Sequence, residues 1–289
     1  MKINSTRLAP TVPITVPAAA SEKLAVVIPT QKFNLNYIEE EVLNRISQLY
    51  SDRYSLFLVV SEYSPINYEN KGFKNIYLDP TFFFDDIQGY NSLCLDINFY
   101  KIFENYNFML IHHLDAVILK DEIEHWISKN YSYIGGPSIH KSFFTKKPIA
   151  IKYFCNGGLS LRKNSDFIKV LNSKNIYFNN LDLNVIKALI KFKHMKQYFN
   201  LIYNNYQIKN YFDVQNFAKE YFLNEDFFWT ILAKLFIKNF RLPDNILECA
   251  NFSIDQGHKF YSTKHGVNPF GIHGYTEKNA LYLKKLFKI

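Results

Sequence analysis

"NFMLIHHLDAVIL", residues 107–119, is the most strand-like apolar run in the chain, and it holds a carboxylate, Asp115. Upstream, "KLAVVIPT" at 23–30 and "YSLFLVVSE" at 54–62 are shorter runs of the same kind, and "KNIYLD" at 74–79 is a weaker one. Between the first two lies "NYIEEEVLNRISQLY", with Ile38, Val42, Leu43, Ile46 and Leu49 at helical spacing. A helix is predicted over "GYNSLCLDINFYKIFENY" at 89–106, another over "DEIEHWISKN", and "YSYIGGPS" at 131–138 returns as a strand. Near-continuous apolar strands alternating with helices indicate an α/β domain with a mainly parallel sheet. Ligands of such sheets bind beyond the carboxyl ends of the strands, which is where Asp115 is expected.

The 289 residues allow one large domain or two small ones. A hydrophobic share of 48% against 21% charged residues supports a sizeable core. The three cysteines form no CxxC pair, which argues against a disulfide framework or a zinc site and fits a reducing compartment. A net charge of +8 suits an anionic partner: a nucleotide diphosphate, nucleic acid or acidic lipid. Prolines at 10, 13 and 17 break the N-terminal stretch, so residues 1–22 read as a flexible tail with no visible signal peptide. No run of about 18 apolar residues is present to span a membrane. Residues 171–212 hold six lysines and one acid, Asp182, and read as a helical insertion with a solvated basic face. Residues 276–289 carry Leu281, Leu283, Leu286 and Phe287 among lysines, the pattern of a basic amphipathic helix that either packs on the domain or lies on an anionic membrane.

Four further features bear on chemistry. "YFCNGGLSLRK" at 153–163 sets Gly157 beside Gly158 in a chain with only 10 glycines. A pair of this kind makes either a tight turn or a stretch of bare backbone against another group. Arg162, in the alternating stretch that follows, either binds an anion or pairs on the surface, and the surface pair is the expectation. "NEDFFWTIL" at 224–232 offers Asn224 as an N-cap and places Glu225 and Asp226 in a first helical turn. "PFGIHGY" at 269–275 holds His273 in a glycine-rich loop.

In order and wording, "GYN", "LDAVIL", "YIGGP", "NGGLSLR", "NEDFFW" and "PFGIHG" resemble a bacterial family of glycosyltransferase-like proteins known as the DUF5672 type, over about residues 24–275. The resemblance implies a GT-A-like, Rossmann-type nucleotide-sugar-binding domain over 23–275, with the helical insertion at about 171–222. It implies transfer of a sugar from a nucleotide-sugar donor to a glycan or lipid-linked acceptor, with inversion. Asp115 resembles the metal-binding Asp-x-Asp element, whose first position is His113 here, either a weak ligand, a donor to the diphosphate or a packed residue. His273 resembles the late metal ligand. A divalent cation, Mn²⁺ or Mg²⁺, is thereby implied, with the imidazole favouring Mn²⁺. Asn156, Gly157 and Gly158 would line the donor sugar, Asp226 would be the base, and Glu225 would orient the acceptor. The expected location is the cytoplasm, with the C-terminal helix offering peripheral contact to the inner face of a membrane. Two alternatives stand beside this: a non-catalytic nucleotide- or glycan-binding relative, and a nucleic-acid-binding protein. The last lacks any recognised nucleic-acid module, so no nucleic-acid partner is expected.

Overall fold

The computed structural model describes residues 22–83, 87–141, 148–178, 193–209, 211–255, 259, 261–262 and 265–287. The expected N-terminal tail therefore lies outside the described residues except for Glu22, as does the middle of the expected insertion.

Nine strands are described: β1 (Glu22–Pro29), β2 (Ser55–Ser61), β3 (Phe73–Leu78), β4 (Tyr106–His112), β5 (Ala116–Ile118), β6 (Tyr133–Lys141), β7 (Pro148–Lys163), β8 (Ser253–Ile254) and β9 (Gly271–His273). Six form the central sheet in the order β3-β2-β1-β4-β7-β6. The pairs β1–β2, β1–β4 and β2–β3 are parallel, and β7 runs antiparallel to both β4 and β6. The sheet is thus mainly parallel, as the apolar runs imply. Alternate residues of β1 serve two cores: Ala25 and Val27 on one face, Leu24, Val26 and Ile28 on the other. With both faces covered from Leu24 to Ile28, that part of the strand has no polar positions, which is why it reads as a continuous apolar run after the exposed Glu22 and Lys23.

The helices are α1 (Tyr37–Tyr50), α2 (Ile87–Cys94), α3 (Ile97–Ile102), α4 (Ile123–Ser128), α5 (Asn164–Leu171), α6 (Lys193–Lys209) and α7 (Val214–Glu220). The segments Glu225–Phe227, Phe228–Leu232 and Ala233–Phe236 follow as one continuous helix, α8, whose middle turn is widened to π geometry. Finally come α9 (Ile246–Phe252) and α10 (Ala280–Phe287). A capping box opens α1: Asn36 Oδ1 accepts the Glu39 N–H, and Glu39 Oε2 accepts the Asn36 N–H, both at 3.0 Å. Among the described residues no helix is long and apolar enough to cross a membrane.

Two expected elements are divided. The helix expected over 89–106 breaks at Leu95 and Asp96, because Asp96 accepts the Asn98 N–H at 2.8 Å and starts a new helix. The run 107–119 is two strands. β4 ends at His112, and β5 leaves for a second sheet of order β5-β9-β8. Asp115 therefore sits in the link between two sheets rather than at the end of one strand. Helix α10 packs on the domain through Ala280 and Leu283, while Leu281 is 84% exposed.

Candidate functional site

The order of the sheet reverses at β1, which lies between β2 and β4, so a crevice opens beyond their carboxyl ends. A cleft of about 590 Å³ occupies this place, lined by Thr30, Lys32, Asn36, Phe82, Tyr90 and Lys278 and reaching His113 and Asp115.

Antiparallel pairing of β5 with β9 sets Ala116 opposite His273, which brings the late loop back to the β4–β5 link. His273 Nε2 lies 3.1 Å from Asp115 Oδ1, and His273 Nδ1 lies 3.0 Å from Asp255 Oδ1. His113 completes a group of three whose ligand atoms all lie within 4.8 Å of one another. Its ring also meets Tyr90 edge-on, with centroids 4.8 Å apart. Burial brings the His113 imidazole down to about 3, leaving it neutral with a free lone pair. Burial also pulls His273 down, but the adjacent Asp115 and Asp255 carboxylates outweigh it and hold that imidazole up at about 10. Burial would raise Asp115, yet the His273 contact brings it down to about 2.

The paired glycines face these groups. Between the pairs Gly135–Ser160 and Gly136–Asn156, residues 157–159 of β7 have no counterpart on β6, so the strand bulges there. A Cβ on Gly157 would lie 2.2 Å from Glu225 Oε1 and 2.7 Å from Asp226 Oδ1. A Cβ on Gly158 would lie 2.1 Å from His273 Nε2. The close approach expected here is made, in the first place, by the protein's own side chains.

Helix α8 delivers the acidic pair. Asn224 stands at the N-cap position as expected but its side chain makes no cap bond; the Glu225 N–H donates instead to Asn91 Oδ1 of α2 at 3.0 Å. Arg162 is fully buried, not on the surface as expected. Its Nη2 donates to Glu225 Oε1 at 2.8 Å, its Nη1 to the Tyr100 hydroxyl at 3.0 Å and its Nε to Ser160 Oγ at 3.1 Å. The rings of Tyr133 and Phe167 stand 5.5 and 5.6 Å from the guanidinium. A buried charge needs such a full set of partners. Glu225 is only 1% exposed, whereas Asp226 is partly exposed. Burial, and then the neighbouring Glu225, push the Asp226 carboxyl well above the usual carboxylate range.

The fold thus brings together all eight residues singled out in the sequence: His113, Asp115, Asn156, Gly157, Gly158, Glu225, Asp226 and His273. Asn156 is engaged with the protein at both ends of its amide: Oδ1 accepts the Gly158 N–H at 2.8 Å and Nδ2 donates to Asp255 at 3.3 Å. Asp255 is the member that the sequence reading missed, and Arg162 is the one it placed on the surface. "FSIDQG" matches no motif, and Arg162 sits on an alternating stretch whose polar positions look solvent-facing.

A search of curated proteins found no match to this chain. Among solved structures, A197 from STIV is similar at 9% identity over 51% of this chain and 68% of that one, with a TM-score of 0.30, too slight a likeness to carry an argument. A family model described as "Protein of unknown function (DUF5672)" matches residues 72–273, well over half of the chain, and this protein therefore belongs to the DUF5672 family.

Proposed function

We propose that this protein is a GT-A-type glycosyltransferase that moves a sugar from a nucleotide donor to a hydroxyl acceptor, with cation assistance and inversion. One observation carries the reading: an imidazole–carboxylate group and the Glu225–Asp226 pair converge on Gly157–Gly158, beside a cleft at the switch point of the sheet. The cleft supports a nucleotide, with aromatic Phe82 and Tyr90 and basic Lys32 and Lys278 on its walls.

The residues present fit a divalent cation. His113, Asp115 and His273 would hold it, and two imidazoles with one carboxylate suit Mn²⁺ better than Mg²⁺. When bound, the cation supplies Lewis-acid neutralisation of the leaving diphosphate. Asp226 takes the proton of the acceptor hydroxyl as its oxygen bonds to the anomeric carbon and the bond to the diphosphate breaks. Its raised proton affinity makes it a stronger base than an ordinary aspartate once ionised. Glu225 is too buried to meet an acceptor, so we assign it to holding Asp226 in place through its pair with Arg162. A metal-free version is favoured by the His273–Asp115 contact, in which the protonated His273 itself faces the diphosphate. Exposed Leu281 and Tyr282 on α10 support peripheral contact with a membrane bearing a lipid-linked acceptor.

The experiment is a thermal-shift and turnover panel of nucleotide sugars with Mn²⁺, Mg²⁺, Fe²⁺ or chelator. A ligand specific to the folded state raises the melting temperature. Turnover lost in chelator and in Asp115→Ala is expected. Turnover that survives chelator selects the metal-free version. Binding without turnover for any donor would make the protein a non-catalytic relative. Co-sedimentation with anionic vesicles, equal with and without residues 277–289, would remove the membrane contact.

A further inference from the structure

Asp255 follows the two-residue strand β8, directly behind His273. Its Oδ1 lies 3.0 Å from His273 Nδ1, and its Oδ2 accepts from Asn156 Nδ2 at 3.3 Å. The same Asn156 accepts the Gly158 N–H, and Gly158 is the residue whose missing Cβ leaves room for His273 Nε2. These contacts close a ring: Gly158 holds Asn156, Asn156 holds Asp255, Asp255 holds His273, and His273 lies over Gly158.

An imidazole has two distinct nitrogens, and a partner at one decides what the other can do. A carboxylate at Nδ1 takes the N–H there, fixes the ring plane and leaves Nε2 for a ligand, as an N–H toward a phosphate or, once that proton is released, as a lone pair toward a cation. Here Nε2 faces Asp115 and the His113 side of the site. The tie is not needed to join the strands, since β8 and β9 already pair through Ser253–Gly271 and Ile254–Ile272. It acts on the side chain.

We propose that Asp255, clasped by Asn156, is a positioning residue that fixes the His273 ring and reserves its Nε2 for the cation or phosphate bound at the candidate centre. The inference rests on the reading of His273 as a site group. It also gives Asn156 a different task from lining a sugar: it couples the glycine bulge of β7 to the histidine of β9.

Two measurements test it, on the full chain. The first is Mn²⁺ affinity, from the electron paramagnetic resonance signal of the free ion, for the wild type, Asp255→Asn, Asp255→Ala and Asn156→Ala, with folding checked by circular dichroism. Outer partners of metal-binding histidines typically contribute about 10–100-fold in affinity. Asp255→Ala should lose about that much. Asp255→Asn should lose less, because its amide oxygen still accepts the Nδ1–H, and Asn156→Ala should fall between it and the wild type. Equal affinity in the wild type and Asp255→Ala overturns the proposal. The second measurement needs no metal: the nitrogen-15-edited spectrum of the imidazoles in metal-free protein. A His273 Nδ1–H signal protected from exchange in the wild type, and lost in Asp255→Ala at unchanged melting temperature, is expected. An identical signal in both overturns the positioning role whether or not Mn²⁺ binds. Absence of Mn²⁺ binding by the wild type, with the expected spectral change present, counts against the cation and not against Asp255.

Discussion

A methyl group on Gly158 would collide with His273, and one on Gly157 with the Glu225–Asp226 pair. Neither glycine has positive φ, so alanine at either position costs room rather than backbone freedom. Each substitution should destabilise by about 1–3 kcal/mol, the usual range for overpacking. Their effects on the site should differ. Gly158→Ala should weaken Mn²⁺ binding by displacing the imidazole, whereas Gly157→Ala should leave it near wild type and depress turnover through the acidic pair. Equal Mn²⁺ loss in both variants would show that the bulge, not the two separate contacts, is what matters. Asp226 allows a second prediction. A base must be ionised, and this carboxyl holds its proton well above the ordinary range. The acidic limb of kcat/KM should therefore fall above the ~3.9 of a free aspartate, with activity rising as pH increases through it. Asp226→Asn should remove that limb and lower turnover by about 10²–10⁴-fold. The doubled glycine was legible as a place of close approach. Its partners were not, because Glu225 and His273 come from distant elements and no local spacing links them to β7.

At the scale of elements, β7 and α8 are joined by one fully buried ion pair, Arg162–Glu225. Arg162→Met leaves a buried carboxylate without its counter-charge and should cost about 3–5 kcal/mol in urea unfolding. Arg162→Met combined with Glu225→Met should recover most of that, since a buried pair replaced by apolar groups is often near neutral. A double variant as unstable as the single would mean that Tyr100 and Ser160, also bound to Arg162, hold the junction. The same scale shows why some elements were readable and others were not. Strands β1 and β2 are covered on both faces, so hydropathy alone marks them. The run 107–119 misled because Leu114 and Ala116–Ile118 stay buried after the chain changes sheets. Its polar break, His113 and Asp115, is the site itself. Strands of two and three residues, β8 and β9, are too short to show any period.

For the molecule as a whole, His112, His113 and His273 should set the pH of greatest stability in the metal-free protein. Burial lowers His112 to about 4 and His113 to about 3. An unfolded histidine titrates near ~6.5. As pH falls from there, the unfolded chain gains two protons at these positions that the folded chain refuses, and stability is lost. Asp226 works the other way in this window, since the folded state keeps a proton that an unfolded aspartate has released above ~3.9. Two protons against one leaves a net loss on the acid side. On the alkaline side the sign reverses. His273 stays charged up to about 10, while its unfolded counterpart is neutral. Its contribution, fully present below ~6.5, is lost as pH rises toward its folded value. Each uncompensated proton changes stability by about 1.4 kcal/mol per pH unit. Unfolding in urea with chelator present should therefore show stability climbing from about pH 4.5 to 6.5 and declining toward pH 9, within the window these shifts define. His273→Gln should flatten the alkaline decline and leave the acidic climb in place. A wild-type profile level above pH ~6.5, or a His273→Gln profile with the full alkaline decline, would mean that His273 is not held as a cation between Asp115 and Asp255.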